Sequence, residues 1–133
     1  MAVDVSPSPV SGRILVADDE PHIRRVLSTL LRNARFQVWE ARDGTEALDF
    51  LDGGQPVDLA ILDLMMPGAT GLEILAFMRG QARHARTPVI ILTAKGQDTD
   101  RQAALTGGAD DFLTKPFSPK KLLLRIQEIL AER

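Results

Sequence analysis

Carboxylates, a hydroxyl and an ammonium stand at the ends of the apolar runs of this sequence. Asp18 and Asp19, with Glu20, follow residues 14–17; Asp63 follows 59–62; Thr93 follows 89–92; Lys115-Pro116 follows Phe112-Leu113. Carboxylates brought to one edge repel and raise one another's pKa unless a cation sits among them, which implies a hard divalent ion. Two or three carboxylate ligands, completed by water or backbone oxygen, suit Mg²⁺, with Mn²⁺ able to substitute. Ca²⁺ prefers about six to eight oxygens. A metal beside a carboxylate, faced by a lysine and a hydroxyl, is the set of parts that moves a phosphoryl group. The metal and Lys115 neutralise its equatorial oxygens, and Thr93 hydrogen-bonds one of them. Asp63, alone on its strand, is then the nucleophile, since carboxylates form acyl phosphates. The adjacent Asp18 and Asp19 are better placed as metal ligands. Gly68 and Ala94 are small enough to admit a bulky donor.

Each residue also has a plainer reading. Asp18 or Asp19 could cap a following helix. Thr93 could cap one too or be an ordinary strand residue, and Lys115 could be a solvated loop lysine. Asp63 resists such a reading, because Leu64-Met65-Met66-Pro67-Gly68 after it is a loop. The functional reading rests on their coincidence at the ends of separate strands.

Those strands alternate with helices. Residues 14–17 are a continuous apolar run; Ile23, Val26, Leu27, Leu30 and Leu31 then repeat at helical spacing, after a Pro21 that suits a first helical turn. The alternation continues with strand 37–41, helix 44–51, strand 59–62, helix 72–78, strand 89–92, helix Asp98–Thr106, strand 112–113 and helix 119–130. Gly107-Gly108 supplies a stop after the fourth helix. Five such units predict a single α/β domain, a doubly wound parallel sheet with helices on both faces. The runs at 14, 59 and 89 lack polar alternation, as central parallel strands should. In such sheets ligands bind at the carboxyl ends of the strands, where the polar residues stand. The fourth helix, with mainly Ala103, Ala104 and Leu105 to offer the core, is expected to pack weakly and to shift.

Composition narrows the function. The 133 residues, 44% hydrophobic and 26% charged, are those of an ordinary globular domain. With no cysteine and two histidines, His22 and His84, thiolate zinc sites, cysteine nucleophiles and a serine triad find no support. A net charge of −2 gives no bulk attraction to nucleic acid or anionic membrane. No apolar run approaches the ~18 residues of a membrane span. Residues 1–12, with Asp4 and a Ser-Pro-Ser-Pro stretch, read as a flexible leader rather than a secretory signal, with the domain proper over 13–133 and a cytoplasmic location.

Taken together, Asp18-Asp19-Glu20, Asp63-Leu64-Met65-Met66-Pro67-Gly68 with Gly71, Thr93-Ala94, Gly107-Gly108-Ala109-Asp110-Asp111 and Lys115-Pro116-Phe117 resemble the receiver domains of two-component response regulators. This is the CheY-like superfamily, and the motifs are closest to receivers of the OmpR/PhoB type. The resemblance runs from about Arg13 to Ala131 and implies a flavodoxin-like strand order 2-1-3-4-5. It makes Asp63 the phosphoacceptor. Asp18 and Asp19, with Asp63 and the Met65 backbone carbonyl, become the Mg²⁺ ligands, and Thr93 and Lys115 hold the phosphoryl oxygens. The donor it implies is a sensor histidine kinase or a phosphotransfer protein, and the receiver catalyses only its own modification and its reversal. Lys115-Pro116 resembles the family's cis peptide. Thr93 and Phe112 take the switch positions: Thr93 moves to the phosphoryl group and Phe112 turns inward, unless Phe112 is simply a core ring. The side chains that tune water attack are Met65 and Lys95; Met65 cannot orient water, so slow autodephosphorylation is expected.

The same resemblance implies an output surface formed by the fourth helix, fifth strand and fifth helix. Homodimerisation there is weakened, because Arg101 would meet Lys121, although Asp111 and Arg125 could still pair. With the chain stopping at Arg133, the expectation is a stand-alone receiver or one excised from a longer protein, acting on an unknown downstream partner or output domain. Other readings compete. An aspartyl-phosphate phosphatase of the haloacid-dehalogenase type would place a second Asp two residues after Asp63, where Met65 stands. A flavodoxin-type phosphate loop would be repelled by Asp18-Asp19-Glu20, and no G-x-x-x-x-G-K-[ST] occurs. A receiver-like module that binds partners without phosphorylation would retain all of these residues without using them.

Overall fold

The computed structural model describes residues 11–94 and 97–132. Five strands alternate with five helices: β1 (Gly12–Ala17), α1 (Pro21–Asn33), β2 (Phe36–Ala41), α2 (Gly44–Asp52), β3 (Leu59–Asp63), α3 (Gly71–Arg79), β4 (Val89–Thr93), α4 (Asp98–Thr106), β5 (Asp111–Thr114) and α5 (Pro119–Ala131). All neighbouring strands pair in parallel, in the order β2-β1-β3-β4-β5. β1 starts at Gly12, inside the stretch expected as leader, because its ladder with β2 extends to the Gly12–Phe36 pair and Ser11 N–H reaches Arg35 O at 2.8 Å. Residues 1–10 of that stretch, like Lys95, lie outside the described residues.

The unbroken apolar runs are explained by the two faces of the sheet. Successive strand residues point to opposite sides. Ile14 and Val16 pack with Leu27 and Leu31 of α1 and Leu122, Ile126 and Ile129 of α5. Leu15 and Ala17 pack instead with Ala47 and Leu51 of α2 and Ile74, Leu75 and Met78 of α3. A strand covered twice has no place for a polar residue until it ends, so the polar side chains just past β1 and at the last residue of β3 emerge together at one edge. α4 is the exception among the helices. Only Ala104 of it is buried, matching the light packing its sequence predicts.

The loops that carry the polar residues are held to the sheet by backbone. Leu64 N–H reaches Leu92 O at 2.8 Å, Gly71 N–H reaches Leu64 O at 2.9 Å, and Gly44 N–H reaches Pro67 O at 2.9 Å. Gly68 turns the loop with φ +86°, a conformation that favours glycine, and a Cβ there would collide with the Thr45 side chain. Thr70 and Glu73 close a reciprocal cap at the start of α3, with bonds of 3.1 and 2.9 Å.

Candidate phosphoacceptor site

At the carboxyl edge of the sheet, oxygen atoms of Asp18, Asp19 and Asp63 all lie within 4.8 Å of one another. β1 delivers Asp18 and Asp19, and β3 delivers Asp63, because β1 and β3 are neighbours paired up to Ala17–Leu62. Asp18 and Asp63 are buried, Asp19 is exposed. Lys115, at a cis peptide with Pro116, extends its ammonium into the group from the end of β5. It stands 2.8 Å from Asp18 Oδ2, 3.6 Å from Asp63 Oδ2 and 3.5 Å from Glu20 Oε1. An open cleft of about 320 Å³ leads to these groups, lined by Asp19, Glu20, Asp63, Met65, Thr93, Ala94 and Lys115.

The capping alternatives do not describe these residues. α1 is entered at Glu20 with no side-chain cap, and Asp18 Oδ1 accepts the Glu20 N–H at 2.9 Å, ahead of the helix. α3 is capped by Thr70, and α4 is entered at Gln97, so neither Asp63 nor Thr93 has that task. Nor is Lys115 a solvated loop lysine, since its side chain is 8% exposed.

Two buried carboxylates share one ammonium, and the balance is visible in their protonation. Burial, then the charge of Asp18, pushes Asp63 up from 3.8 to about 7; Lys115 and the Met65 N–H pull the other way, and Asp19 adds to the rise. Burial pulls the Lys115 ammonium down, but its contact with Asp18 and the charges of Asp63 and Glu20 outweigh this and hold it above its ordinary range. Among the described residues, the cluster therefore keeps an excess of negative charge after the Lys115 ammonium is counted. Hard oxygen donors in such excess, open to a cleft, fit a divalent cation.

Of the residues expected to act together, Asp18, Asp19, Asp63, Lys115, Met65 and Thr93 meet at the cleft, and Phe112 does not. Its ring lies in the core on the α3 side, 1% exposed. The inward position expected of Phe112 on phosphorylation is the one the ring occupies here, with the guanidinium of Arg101 over it, 5.3 Å from the ring centroid. Asp111 and Arg125 pair within one chain, at 2.9 Å, rather than waiting for a second copy. Two contacts escaped the sequence. Glu20 was legible only as part of an acidic run, and nothing local marks Arg101 as a neighbour of Phe112.

Comparison with known proteins agrees with this geometry. The family model described as "Response regulator receiver domain" matches residues 14–127. The phosphate regulon transcriptional regulatory protein PhoB of Klebsiella pneumoniae is 42% identical over 121 residues, covering 91% of this chain and 52% of the relative. The transcriptional regulatory protein SrrA of Staphylococcus aureus (strain NCTC 8325 / PS 47) is 39% identical over 121 residues, covering 91% and 48%. The chain thus spans about half the length of these curated relatives. Among solved structures, the Francisella response regulator 1452 receiver domain superposes with a TM-score of 0.83 at 35% identity, covering 92% of this chain and 98% of that one.

Proposed function

The chain belongs to the response regulator receiver domain family, and on that premise we propose that it is a phosphorylation-activated switch that accepts a phosphoryl group on Asp63. The observation that carries this reading is the convergence of Asp18, Asp19 and Asp63 around a buried ammonium at the mouth of a cleft. In the step proposed, a carboxylate oxygen of Asp63 attacks phosphorus, the P–N bond of a donor phosphohistidine breaks, and an acyl phosphate forms. Lys115, 3.6 Å from Asp63, neutralises charge on the transferred oxygens, and the Thr93 hydroxyl at the rim donates a hydrogen bond to one of them. Asp18, Asp19, Asp63 and the backbone carbonyl of Met65 would hold Mg²⁺, or Mn²⁺ in its place. When bound, that ion supplies positive charge beside the phosphoryl oxygens.

The donor is a sensor histidine kinase or a phosphotransfer protein in the cytoplasm, and the reader is a downstream partner or an output domain. The α4-β5-α5 surface carries the signal. A homodimer through it is weakened by the like charges of Arg101 and Lys121 and by the internal Asp111–Arg125 pair. No described helix is long and apolar enough to cross a membrane.

The test is to treat the protein with acetyl phosphate and Mg²⁺, reduce the product with borohydride, and map the peptide that gains homoserine. Conversion at position 63 is expected; conversion at Asp18 or Asp19 would overturn the assignment. Met65 also sets a lifetime. It is 66% exposed at the cleft, and its thioether offers water no strong hydrogen bond. Met65→Asn is expected to shorten the half-life of the acyl phosphate by about fivefold, the worth of one hydrogen bond of ~1 kcal/mol to the attacking water. An unchanged decay rate, measured by phosphate release, would remove Met65 from that role.

A further inference from the structure

Phe112 and Thr93 are linked by the register of the sheet. Phe112 pairs with Ile91, and Thr93 pairs with Thr114 one step further along the same two strands. Residues two apart share a face, so Thr93 and Phe112 are diagonal neighbours on one side of the sheet. Whatever draws the Thr93 hydroxyl toward the cleft changes the space beside that ring. The other boundary of this space is Arg101. Its guanidinium covers the Phe112 ring at 5.3 Å, and its Nη2 donates to the Phe112 carbonyl at 3.1 Å.

Both contacts act in one direction. Outside the ring is a groove of about 410 Å³ between α4 and α5, lined by Arg101, Asp111, Phe117, Lys121, Leu122 and Arg125 among others. To swing into that groove the ring must displace the guanidinium from its face and strain the carbonyl bond beside it. Phe112 has no hydroxyl with which to anchor itself outside. α4 buries only Ala104, and this clamp joins the helix to β5. We infer that Arg101 is a positioning residue of the switch: it holds Phe112 inside and so biases the α4-β5-α5 surface toward the shape that phosphorylation of Asp63 favours. This rests on the phosphoacceptor reading. By linkage, a residue that raises the population of the competent shape raises the affinity for the phosphoryl group or its mimic by the same factor, with no contact to either.

The experiment uses the full chain with 4-fluorophenylalanine at position 112, in wild type, Arg101→Ala and Arg101→Lys, titrated with beryllofluoride in the presence of Mg²⁺. The wild type is expected to show one ¹⁹F resonance shielded from a soluble paramagnetic agent. Arg101→Ala is expected to add a solvent-accessible resonance and to weaken beryllofluoride binding by about three- to tenfold, the range of a cation–π contact. Its Mg²⁺ affinity should stay within about twofold, because Arg101 lies outside the carboxylate cluster. Arg101→Lys, which keeps the charge and loses the planar fork, should fall between the two. A ring equally shielded in Arg101→Ala would overturn the clamp, and an exposed ring with unchanged beryllofluoride affinity would overturn the bias. A wild type that binds no beryllofluoride would instead overturn the phosphoacceptor reading and the coupling with it, while the ring resonances still decide the clamp.

Discussion

Asp63→Asn is expected to stabilise the cation-free protein at pH 8 by about 2 kcal/mol and to flatten its stability between pH 4 and 7. The folded-state carboxyl titrates near 7, above its ordinary 3.8, because it is buried beside Asp18. The folded state therefore holds a proton that the unfolded state releases across that window. Stability falls as pH rises through it and levels off above pH 7. A rise from 3.8 to about 7 corresponds to ~4 kcal/mol at 1.36 kcal/mol per pK unit. Water entering through the open cleft reduces the expected effect to about half. The amide removes the charge and the titration together. Urea unfolding in EDTA at pH 4.5, 6 and 8 gives the comparison, and the difference between the two proteins should grow with pH. Mg²⁺ should restore wild-type stability at pH 8 by mass action and affect the variant much less. Parallel pH profiles for the two proteins would show that Asp63 is not the strained group at this site.

Gly71→Ala should damage both fold and site. A Cβ on Gly71 would stand 2.6 Å from the carbonyl oxygen of Asp63 and 3.2 Å from Leu64 Cα, both backbone atoms that cannot turn aside. The start of α3 must then retreat from the end of β3, which carries Asp63. Overpacking of this kind costs about 1–3 kcal/mol. Misplacing the reacting carboxylate by a fraction of an ångström should lower the rate of phosphoryl acceptance on the order of tenfold or more. Gly80→Ala is the control: a Cβ there comes no closer than 3.6 Å to any neighbour, and its backbone is right-handed helical. It should be neutral or slightly stabilising. Equal behaviour of the two variants in urea unfolding and acetyl phosphate kinetics would mean that the α3–β3 approach does not position Asp63.

The contrast between these two glycines marks how far the sequence can be read. Gly71 stands before a helical pattern and Gly80 after one, and nothing in their neighbours' types reveals that one touches the Asp63 backbone. The strands were legible because 14–17, 59–62 and 89–92 are buried on both faces, which leaves no polar alternation and puts the first polar residue at the strand end. Asp18, Asp19, Asp63, Thr93 and Lys115 were legible as site candidates for the same reason. α4 announced its light packing by having mainly Ala103, Ala104 and Leu105 to offer the core, and of these Ala104 is the one buried. Strand order came only through family resemblance, since alternation of strand and helix is compatible with several windings. The contact between Phe112 and Arg101 was not legible, because the two stand eleven residues apart on different elements and a cation over a ring leaves no periodic trace.

The most direct test of the account is the intact mass of the protein after incubation with acetyl phosphate, with and without Mg²⁺, beside Asp63→Asn. A gain of one phosphoryl group that requires Mg²⁺ is expected in the wild type and is expected to be absent in the variant. A gain that persists in Asp63→Asn or ignores the cation would contradict it. So would no gain from acetyl phosphate, a phosphohistidine donor or beryllofluoride binding, which would leave a module that meets its partners without phosphorylation.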